Sequence, residues 1–144
     1  MLQNLPMGFL AGLKVKQADK EKCVVHIPYK YLNKNPFKSM YFASQSMAAE
    51  LSTGLLAMAA VKDAPAPISM LVLNMEASFK KKAIGICSFS CVNGKDIQKA
   101  VEKAIETEEG QTIKVRSIGQ DSTGDTIAEF HFTWTFKTKK RKPK

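Results

Sequence analysis

The sequence is poor in the residues that mark metal-binding and disulfide-rich proteins. It has three cysteines, two histidines and one tryptophan in 144 residues. An odd number of cysteines without metal-type spacing argues against a disulfide framework and against a zinc site. Cys87 and Cys91 lie on one predicted strand, about 13 Å apart at their Cα atoms, which is too far for a disulfide. We expect three buried or half-buried free thiols and no bound metal.

Long apolar runs are also missing. The longest spans residues 54–61, whereas a membrane-spanning helix requires roughly 18 apolar residues. The start of the chain lacks the basic residues and the small-residue cleavage site of a secretory signal. These absences predict a soluble protein located in the cytoplasm.

Acidic residues are scarce, with 13 Asp and Glu against 22 Lys and Arg, for a net charge of +9. Residues 137–144 hold six basic side chains and no acid, so that residues 1–136 carry only +3. Basic runs at a terminus are typical of solvated, mobile tails. With 44% hydrophobic residues, the remainder has the composition of a folded protein. We therefore predict one domain over residues 1–136 and a disordered basic tail over residues 137–144.

The predicted order of elements is helix, strand, long helix, two strands, short helix, two strands. The long helix, residues 40–61 with Ser39 as N-cap, is apolar on nearly every side and is expected to be enclosed. In the last strand, alternate residues form one apolar face, which predicts a sheet with one buried side. The other predicted segments are a helix at 2–13, strands at 15–29 (with a turn at Asp19 and Lys20), 68–79, 83–92, 111–118 and 126–136, and a helix at 95–107. Strands 68–79 and 83–92 are expected to form an antiparallel hairpin.

One acidic residue lies inside the long apolar helix. Glu50 has Ser46, Thr53 and Gly54 at helical spacing. Glycine in a helix costs roughly 1 kcal/mol relative to alanine. A gap beside the carboxylate, left for a ligand or for another backbone, would explain this cost. A carboxylate among apolar residues has a raised pKa, which suits a general base or nucleophile. The unpaired N–H groups that open the helix could form an oxyanion hole. The alternative is a Glu on a wet or subunit-facing side of the helix.

The segment NPFKSMYFASQSMAAELSTG, residues 35–54, resembles the core motif of hotdog-fold acyl-CoA thioesterases of the PaaI type. In that family an Asn precedes the central helix, a His-Gly-Gly opens it, and an Asp or Glu follows nine residues after the His. Here Asn35 stands at the Asn position, Tyr41 at the His, Phe42 and Ala43 at the glycines, and Glu50 at the acid. The similarity is greatest to the branch in which the His-Gly-Gly is degraded.

The resemblance implies an α+β hotdog fold, an antiparallel sheet wrapped around one long helix. It implies a homodimer or a dimer of dimers that pairs sheet edges and places the site between subunits. The implied reaction is hydrolysis of an acyl-CoA or related thioester without a metal or redox cofactor, with coenzyme A as part of the substrate. Glu50 would activate water or attack the carbonyl, the Phe42 N–H would polarise the carbonyl oxygen, and Asn35 would position the reacting groups. Tyr41 retains only a hydrogen-bond donor.

The residues expected to line the substrate site are Ala43, Ser46, Thr53 and Gly54, and a lysine cluster, Lys80, Lys81 and Lys82, is a candidate contact for the phosphates of coenzyme A. Two other functions stay open. The side chains at the two glycine positions favour a protein that binds an acyl ligand or acyl-CoA without hydrolysing it. The basic tail favours a module that binds nucleic acid or another anionic surface, and nothing else in the sequence supports that function.

Overall fold

The structure, a computed structural model, describes residues 3–139. Its elements follow the chain as one short helix, two strands, a long helix, two strands, a third helix and two strands. A short 3-10 turn, Tyr31–Asn33, precedes the long helix. The bounds are α1 Pro6–Ala11, β1 Lys14–Ala18, β2 Cys23–Pro28, α2 Phe42–Lys62, β3 Ile68–Phe79, β4 Ile86–Cys91, α3 Gly94–Thr107, β5 Gln111–Gln120 and β6 Thr126–Thr138.

The six strands form one antiparallel sheet in the order β1-β2-β4-β5-β6-β3, so β1 and β3 are its two edges. The predicted alternation of β6 is confirmed, because the apolar residues of one face are buried: Ala128, Phe130, Phe132, Trp134 and Phe136. The same alternation occurs in β2 and β4. The buried apolar faces of β2, β4 and β6 line a single core.

Helix α2 lies against this inner face, as expected for an enclosed helix, and packs on β2, β4 and β5. Its 21 residues correspond to a length of about 30 Å. A hydrogen bond of 2.7 Å between the hydroxyls of Ser52 and Ser117 joins it to β5 in the core. Helix α3 buries Ile97, Val101 and Ala104 and packs against α2, β5 and β6. The fold is therefore a sheet wrapped around one long helix.

Two predicted strand arrangements are wrong. Residues 15–29 form a hairpin and not one strand. The chain reverses at the predicted turn, because the Asp19 carboxylate accepts hydrogen bonds from the N–H groups of Glu21 and Lys22, both 2.8 Å. The predicted hairpin of residues 68–79 and 83–92 does not form. β3 pairs instead with β6 along its whole length, from Ile68 opposite Thr138 to Phe79 opposite Ala128, while β4 lies between β2 and β5.

The predicted boundary of the tail also shifts. Strand β6 continues to Thr138, and Lys137 and Thr138 pair with Ser69 and Ile68. They belong to the sheet because β3 offers them backbone partners. Residues 140–144, the rest of the predicted tail, lie outside the described residues.

All three cysteines are buried free thiols, as predicted. Burial raises the pKa of Cys23 and Cys87 to about 11 and raises that of Cys91. Cys23 lies opposite Cys91 across β2 and β4. No helix in residues 3–139 is long and apolar enough to cross a membrane.

Candidate active site

The curled sheet leaves one side of α2 uncovered between its two edge strands. Val15 of β1 and Met70 of β3 both line a cavity of about 400 Å³ against the helix. Glu50 is the one ionisable side chain in its lining, which otherwise consists of Asn4, Leu5, Val15, Leu51, Gly54, Leu55, Met58, Met70 and Trp134. The candidate acid therefore opens into a mostly apolar space at the gap in the sheet.

Gly54 leaves room for the Glu50 carboxylate. A Cβ atom on Gly54 would lie 3.1 Å from Oε1 of Glu50 and 3.4 Å from Cζ2 of Trp134. The distance to Oε1 is shorter than an ordinary Cβ contact, whereas the distance to Cζ2 is an ordinary van der Waals contact, so a larger residue would press on the carboxylate. This is the gap beside Glu50 that the sequence predicts, and it is filled by the carboxylate itself and the edge of an indole ring.

Thr53 lies behind the part of the cavity wall that Gly54 and Trp134 form, and it does not line the cavity itself. Its side chain is fully buried, and its Oγ1 accepts a hydrogen bond of 3.0 Å from Nε1 of Trp134. The same hydroxyl donates to the carbonyl oxygen of Glu50, at 2.9 Å. Thr53 thus fixes the Trp134 ring that lines the cavity, which is a positioning role where a substrate contact was expected.

The electrostatics of Glu50 follow from its half-buried position. Desolvation raises the pKa of its carboxyl above the ordinary value of 4.5. No salt bridge to Glu50 occurs among the described residues, so no cation offsets the desolvation. Such a carboxylate is a stronger base than an exposed one.

The N-terminus of α2 presents free backbone donors. The N-cap is Tyr41, with no side-chain cap, and the N–H groups of Ser44 and Gln45 both donate to its carbonyl oxygen. Among residues 3–139, the N–H groups of Phe42 and Ala43 have no acceptor. These two groups can stabilise an oxyanion.

Ser39, the predicted N-cap, is engaged elsewhere. Its hydroxyl donates to Oδ1 of Asn35 at 3.2 Å, so it does not reach the first turn of α2. Asn35 Oδ1 also accepts the N–H groups of Phe37, at 2.9 Å, and Ser39, at 3.3 Å, while its Nδ2 donates to the Met40 carbonyl. Asn35 therefore organises the loop that leads into α2, and its side chain is fully occupied there.

A second cavity, of about 530 Å³, adjoins this helix end. Gln45 lines it and is 4% exposed. Its Nε2 donates to the Met40 carbonyl at 3.2 Å, but its buried Oε1 has no hydrogen-bond partner among the described residues. A buried amide oxygen without a donor favours a ligand or water that supplies one.

The three lysines of the predicted cluster differ in their contacts. Lys81 forms salt bridges with Asp121 at 2.8 Å and Asp125 at 2.7 Å, and these hydrogen bonds raise the pKa of Lys81. Lys82 donates to the Phe37 carbonyl at 3.2 Å. All three line the cavity beside α2, but only Lys80 and Lys82 have no acidic partner there.

Aromatic rings surround the positions at which the PaaI-type thioesterases, which the sequence resembles, have glycines. The Phe42 ring meets Tyr41 edge-on at 5.0 Å between centroids and Phe79 at 6.3 Å. Phe79 in turn packs on Phe130 at 5.6 Å. Ala43 lines a third cavity on the other side of the helix end, and the Ser46 hydroxyl donates to the Phe42 carbonyl at 2.9 Å. The rings narrow the approach to the Phe42 N–H without removing it.

The predicted residues thus form two groups on one helix. Glu50 and Gly54 lie at the gap in the sheet, whereas Asn35, Tyr41 and Phe42 lie at the helix start. Eight residues separate Phe42 from Glu50, which corresponds to about 12 Å along the axis. Within one chain, the Phe42 N–H and the Glu50 carboxylate therefore cannot act on the same carbonyl group.

Sequence reasoning missed two residues of these cavities. The alternation of the last strand predicts that Trp134 lies on its inner face. It cannot place Trp134 beside Glu50, because 84 positions separate the two residues in the chain. Gln45 was overlooked as a buried amide inside an apolar helix, a signal that the sequence does contain. Within residues 3–139, no group of three His, Cys, Asp or Glu side chains could hold a metal ion.

The fold matches solved structures at low sequence identity. A Pseudomonas aeruginosa protein described as a probable thioesterase aligns with a TM-score of 0.82 at 18% identity, covering 96% of this chain and 91% of its own. The E. coli PaaI protein from the phenylacetic acid degradation operon has a TM-score of 0.67 at 10% identity, with 93% and 86% covered. A thioesterase from Staphylococcus aureus gives 0.68 at 13%, with 92% and 98% covered. These likenesses confirm the hotdog fold.

Curated proteins add nothing to this comparison, since none matches the sequence significantly. A protein-family model described as a domain of unknown function, DUF4442, matches residues 2–136. That range includes every strand but the end of β6, and both residue groups on α2. The chain therefore belongs to the DUF4442 family.

Proposed function

We propose that this protein hydrolyses an acyl-CoA or a related thioester at a site shared by two copies of the chain. The observation that carries the proposal is the position of Glu50, an unpaired carboxylate with a raised pKa on the wall of an apolar cavity of about 400 Å³. Cavities of this size and lining suit an apolar acyl group. The thioesterases among the structural relatives support the same reaction class.

The second copy supplies the oxyanion donors. Because Phe42 and Glu50 of one chain are about 12 Å apart, the carboxylate of one subunit works with the helix start of the other. Strand β3 provides the surface for pairing, since its outer edge has no neighbour in the sheet. On its helix-side face, Met75 and Phe79 remain 41% and 49% exposed. An apolar open edge of this kind favours association.

The backbone donors at the start of α2 and the Glu50 carboxylate are sufficient for thioester hydrolysis. The Phe42 and Ala43 N–H groups of one subunit hold the thioester carbonyl oxygen and stabilise the oxyanion that develops on it. Glu50 of the other subunit accepts a proton from water, whose oxygen bonds to the carbonyl carbon. The carbon–sulfur bond then breaks, and the thiolate takes up the proton from Glu50. Thioester and water give a carboxylic acid and a thiol.

The cavity beside the helix start suits the carrier of the acyl group. A pantetheine arm has amide N–H groups, one of which can donate to the unpartnered Oε1 of Gln45. Lys80 and Lys82 line the same cavity and can meet phosphate groups. Lys81 contributes less to phosphate binding because Asp121 and Asp125 already neutralise it.

Hydrolysis of short-, medium- and long-chain acyl-CoA substrates by the purified full chain tests the proposal. We expect turnover with at least one chain length and a loss of about 100-fold or more in kcat for Glu50→Gln, as for removal of a general base. Glu102→Gln, at an exposed carboxylate on α3, is the matched control and keeps full activity. Absence of turnover, or equal rates for both variants, would refute the proposed hydrolysis.

A non-hydrolytic acyl-binding function is the second candidate. The crowding of Tyr41, Phe42 and Phe79 at the helix start favours it, because these rings narrow the path to the backbone donors. Mass spectrometry of the purified protein under native conditions distinguishes the two. Recovery of a bound acyl-CoA or fatty acid that stays intact over hours, without turnover of added substrate, would establish binding alone.

A further inference from the structure

A large apolar surface lies outside the gap that contains Glu50. It comprises side chains of α1, of the 3-10 turn and of the loop that precedes α2, each between 52% and 78% exposed. Soluble proteins rarely expose so many large apolar side chains together without a partner. We call this surface the basic apolar patch, and its apolar members are Met7, Phe9, Leu10, Tyr31, Leu32 and Phe37.

Specific contacts hold these segments together as one surface. The buried Asn33 side chain donates to the carbonyl oxygens of Ala11, at 2.7 Å, and Pro28, at 2.9 Å, which fixes the 3-10 turn against the end of α1. Met7 and Leu32 line one cavity of about 340 Å³ together with Tyr41. Tyr41 also lines the neighbouring cavity with Phe37. The patch is therefore continuous from α1 to the start of α2.

The charge of the patch has one sign. Lys30, Lys34 and Lys38 are exposed within its segments and Lys14 is exposed at the start of β1, whereas residues 3–18 and 28–49 contain no Asp or Glu. None of the four forms a salt bridge with a described residue. Lys34 lies over the Tyr31 ring, with Nζ 4.5 Å from the centroid. Apolar side chains surrounded by unpaired lysines require a partner that is apolar within and negative at its surface.

A second copy of the chain does not meet this requirement. A two-fold interface that closed the patch on its own counterpart would bring the unpaired lysines of both subunits together. Strand β3 can pair with a second copy without such repulsion, because its exposed edge segment, residues 69–78, includes a single charged residue, Glu76. Duplex nucleic acid would satisfy the lysines but would leave the aliphatic side chains of Met7, Leu10 and Leu32 without a partner.

We propose that the basic apolar patch docks this protein on the surface of an anionic lipid bilayer. Met7, Leu10 and Leu32 enter the boundary between headgroups and acyl chains, and the lysines contact the negative headgroups. Tyr31 and Phe37 carry aromatic rings of the kind that settles at this depth. The docking is peripheral and does not depend on thioester hydrolysis, since none of its lysines or exposed aliphatic side chains belongs to the proposed catalytic groups.

Cosedimentation of the full chain with vesicles tests the docking. We expect binding to phosphatidylcholine vesicles that contain phosphatidylserine, at least tenfold weaker binding to phosphatidylcholine alone, and a decrease with added salt. The triple variant Lys30→Glu, Lys34→Glu, Lys38→Glu and the double variant Leu10→Gln, Phe37→Gln each weaken binding at least tenfold. All five positions are exposed, and circular dichroism verifies that the variants fold.

The control variants lie outside the basic apolar patch. Lys99→Glu, Lys103→Glu on α3 and Val92→Gln after β4 change exposed residues of the same kinds and leave vesicle binding unchanged. A chain without residues 140–144 retains most of its binding. If that deletion abolishes binding while the patch variants do not, the tail and not the patch is the lipid contact, and the proposal fails.

Three further outcomes would overturn the assignment. The first is absence of binding to anionic vesicles. The second is dissociation of an oligomer by the triple variant in sedimentation equilibrium, which would make the patch a self-interface. The third is binding of duplex DNA or a soluble acidic peptide as tight as that of vesicles and lost in the same variants. The second and third outcomes would each identify a different occupant of the patch.

Discussion

Glu50 is held in surroundings that disfavour its charge, and the residues around it leave room for that charge. Gly54 gives space to the carboxylate, and Thr53 orients the Trp134 ring on its other side. Helical spacing identified Glu50 and Gly54 because both lie within one turn. The same reasoning could not find Trp134, since only the pairing of distant strands brings it to the helix.

The raised pKa of Glu50 predicts a pH-dependent stability difference. A carboxyl with a raised native pKa holds its proton more tightly in the folded state than in the unfolded state. Its ionisation therefore destabilises the fold above the native pKa and has no such effect below the ordinary value of 4.5. We expect Glu50→Gln to melt at a higher temperature than the parent at about pH 8, and the difference to vanish towards about pH 4.

Thermal unfolding followed by circular dichroism across this pH range measures the effect. Glu102→Gln, an exposed carboxylate, should show no pH-dependent difference from the parent. A constant offset between Glu50→Gln and the parent at every pH would contradict a raised pKa. In activity assays, the same raised pKa places the acidic limb of the rate profile above the ordinary range of a glutamate.

Substitution of Gly54 separates catalysis from stability. Gly54→Ala places a methyl group 3.1 Å from Oε1 of Glu50, which displaces the carboxylate. Alanine favours the helix by about 1 kcal/mol over glycine, so we expect an unchanged or higher melting temperature with at least about tenfold lower kcat.

Gly110→Ala is the matched control, because its new Cβ would have nothing closer than 4.0 Å. That variant should keep the parent's activity. A fully active Gly54→Ala variant would show that the position of the carboxylate is not restricted by this neighbour.

At the scale of elements, the start of α2 shows what a local pattern can and cannot predict. The helix itself follows from an unbroken run of helix-forming residues, and its observed end at Lys62 lies one residue beyond the predicted one. Its N-cap does not follow, because Ser39 has the right side chain but bonds to Asn35 in the preceding loop. Whether a side chain caps a helix depends on the other hydrogen-bond partners within its reach. The sequence of the helix alone does not show those partners.

Asn35 should control the geometry of this helix start. Asn35→Ala removes the acceptor of three hydrogen bonds and the donor to Met40. We expect a loss of about 1–2 kcal/mol in the free energy of unfolding, measured by urea denaturation. We also expect a fall in kcat larger than the fall in substrate affinity, since the oxyanion donors shift.

Asn35→Asp provides the conservative comparison. It keeps the acceptor oxygen and loses only the bond to the Met40 carbonyl, so its stability should lie between those of the parent and Asn35→Ala. Equal effects of the two substitutions would show that the three accepted bonds do not hold the loop.

Strand β3 illustrates the limit for strands. Its bounds agree with the predicted 68–79, because alternation and β-branched residues are local properties. Its partner was predicted wrongly, because a short connection through Lys80, Lys81 and Lys82 suggested a hairpin. The observed partner, β6, presents large aromatic side chains such as Phe130, against which Phe79 packs. Complementarity over a long stretch of sequence thus outweighed proximity in the chain.

At the scale of the whole molecule, one chain holds two incomplete halves of a site. The carboxylate lies at the gap in the sheet and the oxyanion donors lie at the helix start, so the proposed reaction requires an assembly. The open edge of β3 connects this requirement to the fold. Only the sequence resemblance predicts a dimer, because composition and periodicity carry no information about a second subunit.

A charge on β3 should therefore abolish both assembly and turnover. Met75 is 41% exposed on the helix-side face, opposite the buried Phe132. We expect Met75→Lys to shift the protein from dimer to monomer in size-exclusion chromatography with light scattering, because an unpaired buried ammonium group is strongly unfavourable. Turnover of thioesters should fall by at least about 100-fold in parallel.

Val92→Lys introduces the same charge at an exposed apolar residue away from β3. This variant should remain dimeric and active. A dimeric Met75→Lys, or a fully active monomer, would contradict the shared site.

The cavity at the gap between β1 and β3 has walls from two different parts of the chain, which can vary independently in evolution. Sheet and helix hold Glu50, but Asn4 and Leu5, ahead of α1, form part of the opposite wall of the cavity. Substitutions at these two positions alter the space available to a ligand without breaking a hydrogen bond of the sheet. At the exposed Asn4 such a substitution costs little stability, so ligand preference can diverge at this position without loss of the fold.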